Sequence, residues 1–207
     1  RDCCIYLIDL GREQIIIDTG AGLSATTLIG NIRTVCRQPT VSTIILTHCH
    51  IDHVGGASAL RDHYGANLVM HEQDAAPVER GDRVMTAAQW YGINFQPLAI
   101  DQKVSGPENV LSFGDHQLYL LHTPGHTPGS ISVYLDIAGK RVLFGQDIHG
   151  PFLKDFGANM SDWTNSMQKL IALNADILCE GHFGIYQPSG KVASYIERYL
   201  DEYGEEG

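Results

Sequence analysis

The sequence predicts an α+β fold with two β-layers covered by helices on the outside. Apolar runs of strand length recur along the chain, and segments whose apolar residues have helical spacing lie between them. The series of strands begins again near Val110, after a less regular segment at 72–96, which indicates a second layer. The 207 residues, 43% of them hydrophobic, are sufficient for a sizeable core.

The first predicted elements are a hairpin and a helix. Residues 4–8 and 14–18 form the hairpin strands around a Gly-containing turn. A helix follows at 24–35, where apolar residues recur every three to four positions and Ser24 can cap the first turn. Because the chain starts at Arg1 directly before a strand pattern, we expect the N-terminal strand to be truncated.

The next predicted elements form a strand–helix–strand unit. A buried strand at 41–47, a helix at 57–64 and a strand at 67–71 are typical of a crossover in a mixed sheet. A further helix is predicted at 85–91.

The second half predicts another sheet with two helices. It contains strands at 109–113, 117–121, 131–135, 141–144 and 176–179, and helices at 163–173 and 192–203. No linker divides the chain, so we predict a single domain spanning 1–207, with an acidic solvated tail at 201–206.

Composition excludes several classes of function. The net charge is −10, and the 14 basic residues include no run of Lys or Arg, so we expect a small-molecule substrate and no nucleic acid. No apolar run has the length of a membrane span. The five cysteines form no recognisable disulfide framework, which favours a cytoplasmic protein. Oligomeric state stays open, and a homodimer is one alternative.

The most informative motif follows the predicted strand at 41–47. It contains four residues that can bind a metal ion: His48, His50, Asp52 and His53. Residues two apart at the end of a strand project to the same side, so His48 and His50 can bind one ion. The chain then turns, which directs the other two side chains toward a second ion.

Three more candidate ligands follow, each at a turn or directly after a predicted strand. His126 lies between two Pro-Gly turns, Asp147 follows an apolar strand, and His182 follows the strand at 176–179. A carboxylate has two oxygens and can bridge two ions. Five histidines and two aspartates therefore predict two divalent ions, zinc in the first place, with iron or manganese as alternatives.

The chain resembles the metallo-β-lactamase superfamily in this HxHxDH motif and in the later His, Asp and His. The resemblance extends from Cys4 to about Phe183 and implies a four-layer αββα sandwich. It also implies that His48, His50 and His126 hold one metal, that Asp52, His53 and His182 hold the other, and that Asp147 bridges them.

Differences between branches of the superfamily reduce the number of functions expected for this chain. True β-lactamases lack the bridging aspartate, so Asp147 argues against antibiotic hydrolysis. The pattern is similar to the glyoxalase II, lactonase and phosphodiesterase branches. Only about 25 residues follow His182, so we expect no glyoxalase II-type C-terminal helical domain.

These observations predict a dinuclear zinc-dependent hydrolase that cleaves a thioester, lactone or phosphodiester with a metal-bridging hydroxide. Asp52 is the best candidate for a catalytic proton shuttle as well as a ligand. The alternative is an oxidoreductase similar to the mononuclear iron persulfide dioxygenases, because imidazole and carboxylate also bind iron.

Four other residues could support the site. Asp18 is either a partner that orients a ligand histidine or a turn cap. His149 is either a pocket residue or a loop histidine without a catalytic role, and Phe152 is predicted in the pocket wall. Trp90 belongs either to a lid or to the packed core. Cys49 is predicted to be a buried structural thiol that points away from the ligands.

Overall fold

The computed structural model describes residues 2–204 and divides into two compact units. Unit 1 extends to Val104, and unit 2 begins at Ser105. The last two residues of the predicted acidic tail, 205 and 206, lie outside the described residues, whereas 201–203 are helical. Among residues 2–204, no helix has both the length and the apolar character required to span a membrane.

Unit 1 contains a five-stranded mixed sheet in the order β1-β2-β3-β4-β5. Its strands are β1 Tyr6–Asp9, β2 Gln14–Ile17, β3 Val41–Ile45, β4 Asn67–His71 and β5 Gln102–Val104. The antiparallel pair β1–β2 is the predicted hairpin. The parallel pairs β2–β3 and β3–β4 are those required by crossover connections, which places the carboxyl ends of β2, β3 and β4 at the same edge.

Helices connect the strands of unit 1. They are α1 Ala25–Val35, α2 Ile51–Val54, α3 Ala57–Tyr64, α4 Glu72–Arg80 and α5 Ala88–Tyr91. One core joins the sheet to α1, α3 and α4, with Ile44 and Met70 from the strands and Ile32, Leu60 and Val78 from these helices. Fully burying such a side chain contributes about 1.5–3 kcal/mol, so this core fixes the strand ends that carry the motif.

Two predictions for unit 1 were wrong in detail. Ser24 occupies the N-cap position of α1, but its side chain makes no capping hydrogen bond. The helix predicted at 85–91 is limited to Ala88–Tyr91, because Ala87 has a left-handed backbone with φ 56°.

Unit 2 contains a six-stranded sheet in the order β11-β10-β9-β8-β7-β6. Its strands are β6 Glu108–Phe113, β7 His116–His122, β8 Ile131–Ile137, β9 Lys140–Gln146, β10 Ile177–Glu180 and β11 Gly184–Tyr186. Among the described strands of this sheet, only β9 and β10 pair in parallel, and Gln146 and Glu180 lie side by side at their carboxyl ends. The residues that follow these two strands are therefore brought close together.

Two helices pack on this sheet, α6 Met160–Ala172 and α7 Ser189–Tyr203, both close to their predicted bounds. A short 3-10 helix, Lys154–Phe156, precedes them. The core combines Leu143 and Leu178 from the strands with Trp163, Met167 and Ile196 from the helices. Trp163 also donates its indole N–H to the Ile148 carbonyl oxygen at 2.9 Å, which fixes the residue directly after Asp147.

Candidate metal centre

The motif of unit 1 occupies the connection between β3 and α2. His48 and His50 lie before the helix, and Asp52 and His53 lie in its only turn. All four residues are buried, although three of them are imidazoles. The His48 ring centroid lies 4.7 Å from that of His50 and 4.0 Å from that of His53. Polar side chains that are buried this close together require bound ligands or hydrogen bonds.

Asp18 supports this cluster from the end of β2. Its Oδ1 accepts the backbone N–H of Thr47 at 2.8 Å, and its Oδ2 accepts the Thr47 hydroxyl at 2.8 Å. The same Oδ2 lies 2.8 Å from Nδ1 of His53. Because a carboxylate only accepts, it holds the proton of His53 on Nδ1 and leaves the lone pair on Nε2.

The Thr47 hydroxyl extends the effect of Asp18 to His48. Its single hydrogen points to Asp18, so the hydroxyl oxygen is an acceptor for Nδ1 of His48, 3.1 Å away. His48 therefore also carries its lone pair on Nε2. Both histidines have the tautomer that binds a cation.

Replacing Asp18 with Asn is expected to weaken metal binding by about 10- to 100-fold, because the amide no longer enforces these tautomers. The dissociation constant for zinc, obtained by competition with a chromophoric chelator, measures the effect. Asp62→Asn, at an exposed position on α3, is the control. An unchanged zinc affinity in Asp18→Asn would show that Asp18 only caps its turn.

Asp52 has a partner that the sequence did not predict. The Tyr91 hydroxyl, at the end of α5, donates to Oδ2 of Asp52 at 2.9 Å. Trp90, which the sequence assigned either to a lid or to the packed core, is 57% exposed and is therefore not a core residue. Tyr91 is an adjacent aromatic in the same predicted helix, but the pattern of that helix does not show which ring faces the motif.

Cys49 is completely buried, as predicted. Its thiol donates to the Met85 carbonyl oxygen at 3.3 Å, and its backbone N–H donates to Asp74 at 2.8 Å. Burial first, and then the negative charge of Asp74, raise the pKa of this thiol well above its usual value. Cys49 is therefore a neutral thiol that attaches segment 85–91 to the motif.

Unit 2 gathers His126, Asp147 and His182. The Oδ2 atom of Asp147 lies 3.6 Å from Nε2 of His126 and 3.3 Å from Nε2 of His182. His126 and Asp147 are buried, and His182 is partly exposed. One carboxylate oxygen close to two imidazole nitrogens is a donor set suited to divalent zinc or iron.

Gly181 makes room for that carboxylate. A Cβ atom at this position would overlap Oδ1 of Asp147. Glycine therefore lets the chain after β10 pass directly beside the Asp147 side chain. The close packing around Asp147 therefore requires glycine at the position before His182.

The other predicted residues of unit 2 adjoin the same cluster. Nδ1 of His149 lies 3.0 Å from Oε1 of Glu180. The Phe152 ring lies 6.1 Å from the His126 ring in a T-shaped arrangement, and it also packs against Trp163 at 5.1 Å. Glu180 is a fully buried carboxylate that sequence reasoning missed. The only sequence feature that could have identified Glu180 is that an acidic side chain ends an otherwise apolar strand.

The family described as the metallo-beta-lactamase superfamily matches residues 1–182. The chain belongs to this superfamily. Two relatives match it over most of their length. Hydroxyacylglutathione hydrolase GloC of Haemophilus influenzae is 28% identical, with 91% of this chain and 88% of the relative covered. Acyl-coenzyme A thioesterase MBLAC2 of Gallus gallus is 27% identical, with 88% and 73% covered.

The structural comparison agrees on the fold. A metallo-beta-lactamase from Cronobacter sakazakii with a HARLDQ motif has a TM-score of 0.86 and 20% identity, covering 99% of this chain and 88% of that one. The predicted α+β fold of the metallo-β-lactamase type is confirmed. The chain is a metal-dependent hydrolase, and its His and Asp clusters imply divalent metal ions.

Proposed function

We propose that the chain is a dinuclear zinc-dependent hydrolase of small-molecule thioesters. The observation that carries this proposal is that two relatives matched over most of their length are named as an acyl-coenzyme A thioesterase and a hydroxyacylglutathione hydrolase. Coenzyme A and glutathione are thiols, so an acyl group carried by either of them is held in a thioester. Lactones and phosphodiesters are the other ester-like substrates that the motif allows. A nucleic-acid substrate is disfavoured by the net charge of −10.

The ligand assignment follows the superfamily pattern. His48, His50 and His126 would hold one ion, and Asp52, His53 and His182 would hold the other, with Asp147 shared by both. The chemistry of the donors supports this assignment, because neutral imidazoles and carboxylates are the ligands that zinc binds in catalytic sites. The tautomers of His48 and His53, with Nε2 unprotonated, fit the same role.

The side chains have separate tasks in hydrolysis. Two ions bound by these residues would supply Lewis acidity and would lower the pKa of bound water to about 7. Asp52 takes up the proton that water loses, and the hydrogen bond from Tyr91 to its Oδ2 orients the carboxylate. Breaking the carbon–sulfur bond puts hydroxyl on the acyl carbon and returns the proton to the leaving sulfur, so the reaction is balanced.

A substrate panel combined with elemental analysis tests the proposal. We expect close to two zinc ions per chain and a kcat/KM at least about tenfold higher for acyl thioesters than for lactones or phosphodiesters. Chelator treatment should abolish turnover, and added zinc should restore it. Two zinc ions with a preference for a lactone or a phosphodiester would replace the substrate class. About one iron ion without hydrolysis would favour the persulfide dioxygenase alternative.

A further inference from the structure

Glu180 is a completely buried carboxylate at the end of β10. Its Oε2 accepts two backbone N–H groups, from His182 at 2.6 Å and from Phe183 at 2.7 Å. These bonds fix the turn that carries the predicted ligand His182. Its other oxygen, Oε1, lies 3.0 Å from Nδ1 of His149. Glu180 therefore holds two histidines of unit 2 by different means.

The contact with Glu180 determines which nitrogen of His149 is protonated. Two backbone N–H groups already donate to Oε2 of the carboxylate, and Oε1 faces the ring as an acceptor, so Nδ1 of His149 donates its hydrogen to Oε1. The lone pair of the imidazole then lies on Nε2. A carboxylate on one ring nitrogen and a lone pair on the other is the arrangement that orients metal-bound histidines.

His149 is also close to two predicted ligands. Asp147, His149 and His182 each offer one ligand atom, and these three atoms lie within 4.8 Å of one another. The His149 and His182 rings are 5.4 Å apart at an angle of 89°. The His149 side chain is 17% exposed, so a small ion can reach it.

We propose that His149 is a further metal-binding residue, which forms a three-donor site for a divalent cation with Asp147 and His182. The inference rests on the proposed metal centre and adds to it a histidine outside the seven-residue pattern. Packing against Phe183, whose ring lies 4.7 Å away, does not require a fixed tautomer. The buried carboxylate on Nδ1 does fix one, and this favours a metal ligand over a residue that only packs.

Titration of the metal-free full chain with Co²⁺ tests the proposal, because the visible absorption of bound cobalt reports its ligands without any assay of activity. We expect two ions to bind the unsubstituted chain. In His149→Asn, whose amide can still donate to Glu180 but lacks Nε2, one ion should bind at least about tenfold more weakly. The other ion should keep its affinity within about twofold.

Glu180→Gln tests the tautomer while keeping the imidazole. The Gln oxygen can still accept the N–H groups of His182 and Phe183, which turns its NH₂ group toward Nδ1 of His149. Nδ1 must then accept, and Nε2 becomes protonated. We expect the same weakened ion as in His149→Asn and an exchanged pair of imidazole ¹⁵N chemical shifts in the metal-free protein.

The controls separate this inference from the proposed function. His116→Ala removes a histidine of unit 2 on β7 and should bind cobalt as the unsubstituted chain does. If the unsubstituted chain bound no cobalt, the proposed function itself would fail. If it bound two ions and both His149→Asn and Glu180→Gln matched it, His149 would not be a ligand. Near-ultraviolet circular dichroism checks that each variant is folded, and where only one of the two folds, that variant alone decides.

Discussion

Replacing Asp147 with Ala is expected to abolish metal retention and turnover. The carboxylate is buried, and its Oδ2 lies within 3.6 Å of Nε2 of both His126 and His182. Without it, bound cations would face two neutral imidazoles in unit 2 with no negative charge from this position. We expect zinc content to fall below about a tenth of the unsubstituted value and kcat/KM to fall by at least about 1,000-fold.

Elemental analysis and thioester turnover on the same preparation measure both effects. Asp115→Ala, in the exposed turn between β6 and β7, is the control for loss of one carboxylate. Gly181→Ala is a second test of the Asp147 carboxylate. Its added methyl group would overlap Oδ1 of Asp147, so it displaces the carboxylate without removing it. Full zinc content and full turnover in Asp147→Ala would rule out the bridging role.

The repetitive part of the fold was predictable from the sequence. The hairpin of unit 1 and the paired strands of unit 2 bury residues in patterns that the apolar runs display, so their existence and order were predicted correctly. The candidate ligands stay a prediction, and the sequence could propose them because they follow apolar strands or a Pro-Gly turn. These are local signals within a few residues.

Elements with a broken pattern were missed. The helix α4 has Pro77 in its interior and a charged residue, Asp74, on its buried side, where it accepts the backbone N–H of Cys49. Neither feature is typical of an amphipathic helix. The strands β5 and β11 have only three residues each, too few to establish a period.

The supporting contacts of the candidate site were missed for a different reason. Tyr91 and Asp52 are 39 positions apart, and His149 and Glu180 are 31 positions apart. Such pairs arise from sheet order and strand register, which a motif does not encode. The sequence therefore predicts the residues that could bind the metals better than those that set their tautomers and orientations.

Replacing Gly125 with Ala is expected to give the largest loss of stability in unit 2. Gly125 has φ +141°, and an added Cβ would overlap the backbone N, Cα and Cβ of Trp163. The contact cannot be relieved by a rotamer change, because Trp163 is in the first turn of α6 and its side chain is buried in the core. We expect a loss of about 4 kcal/mol or more in the free energy of unfolding.

Urea denaturation followed by circular dichroism measures this loss against two matched glycine variants. Gly139→Ala has a positive φ of 73° with open space around it, so it isolates the backbone cost of about 1–2 kcal/mol. Gly30→Ala lies within α1, also in open space, and should stabilise by up to about 1 kcal/mol.

A Gly125→Ala value equal to that of Gly139→Ala would mean that α6 can move away from the loop. A larger loss would mean that the loop preceding His126 is held rigidly against α6. Two hydrogen bonds hold it there: the Asn159 N–H donates to the Gly125 carbonyl oxygen, and the Ser166 hydroxyl donates to the Pro124 carbonyl oxygen. The position of His126 would then depend on the packing of α6 as much as on its own turn.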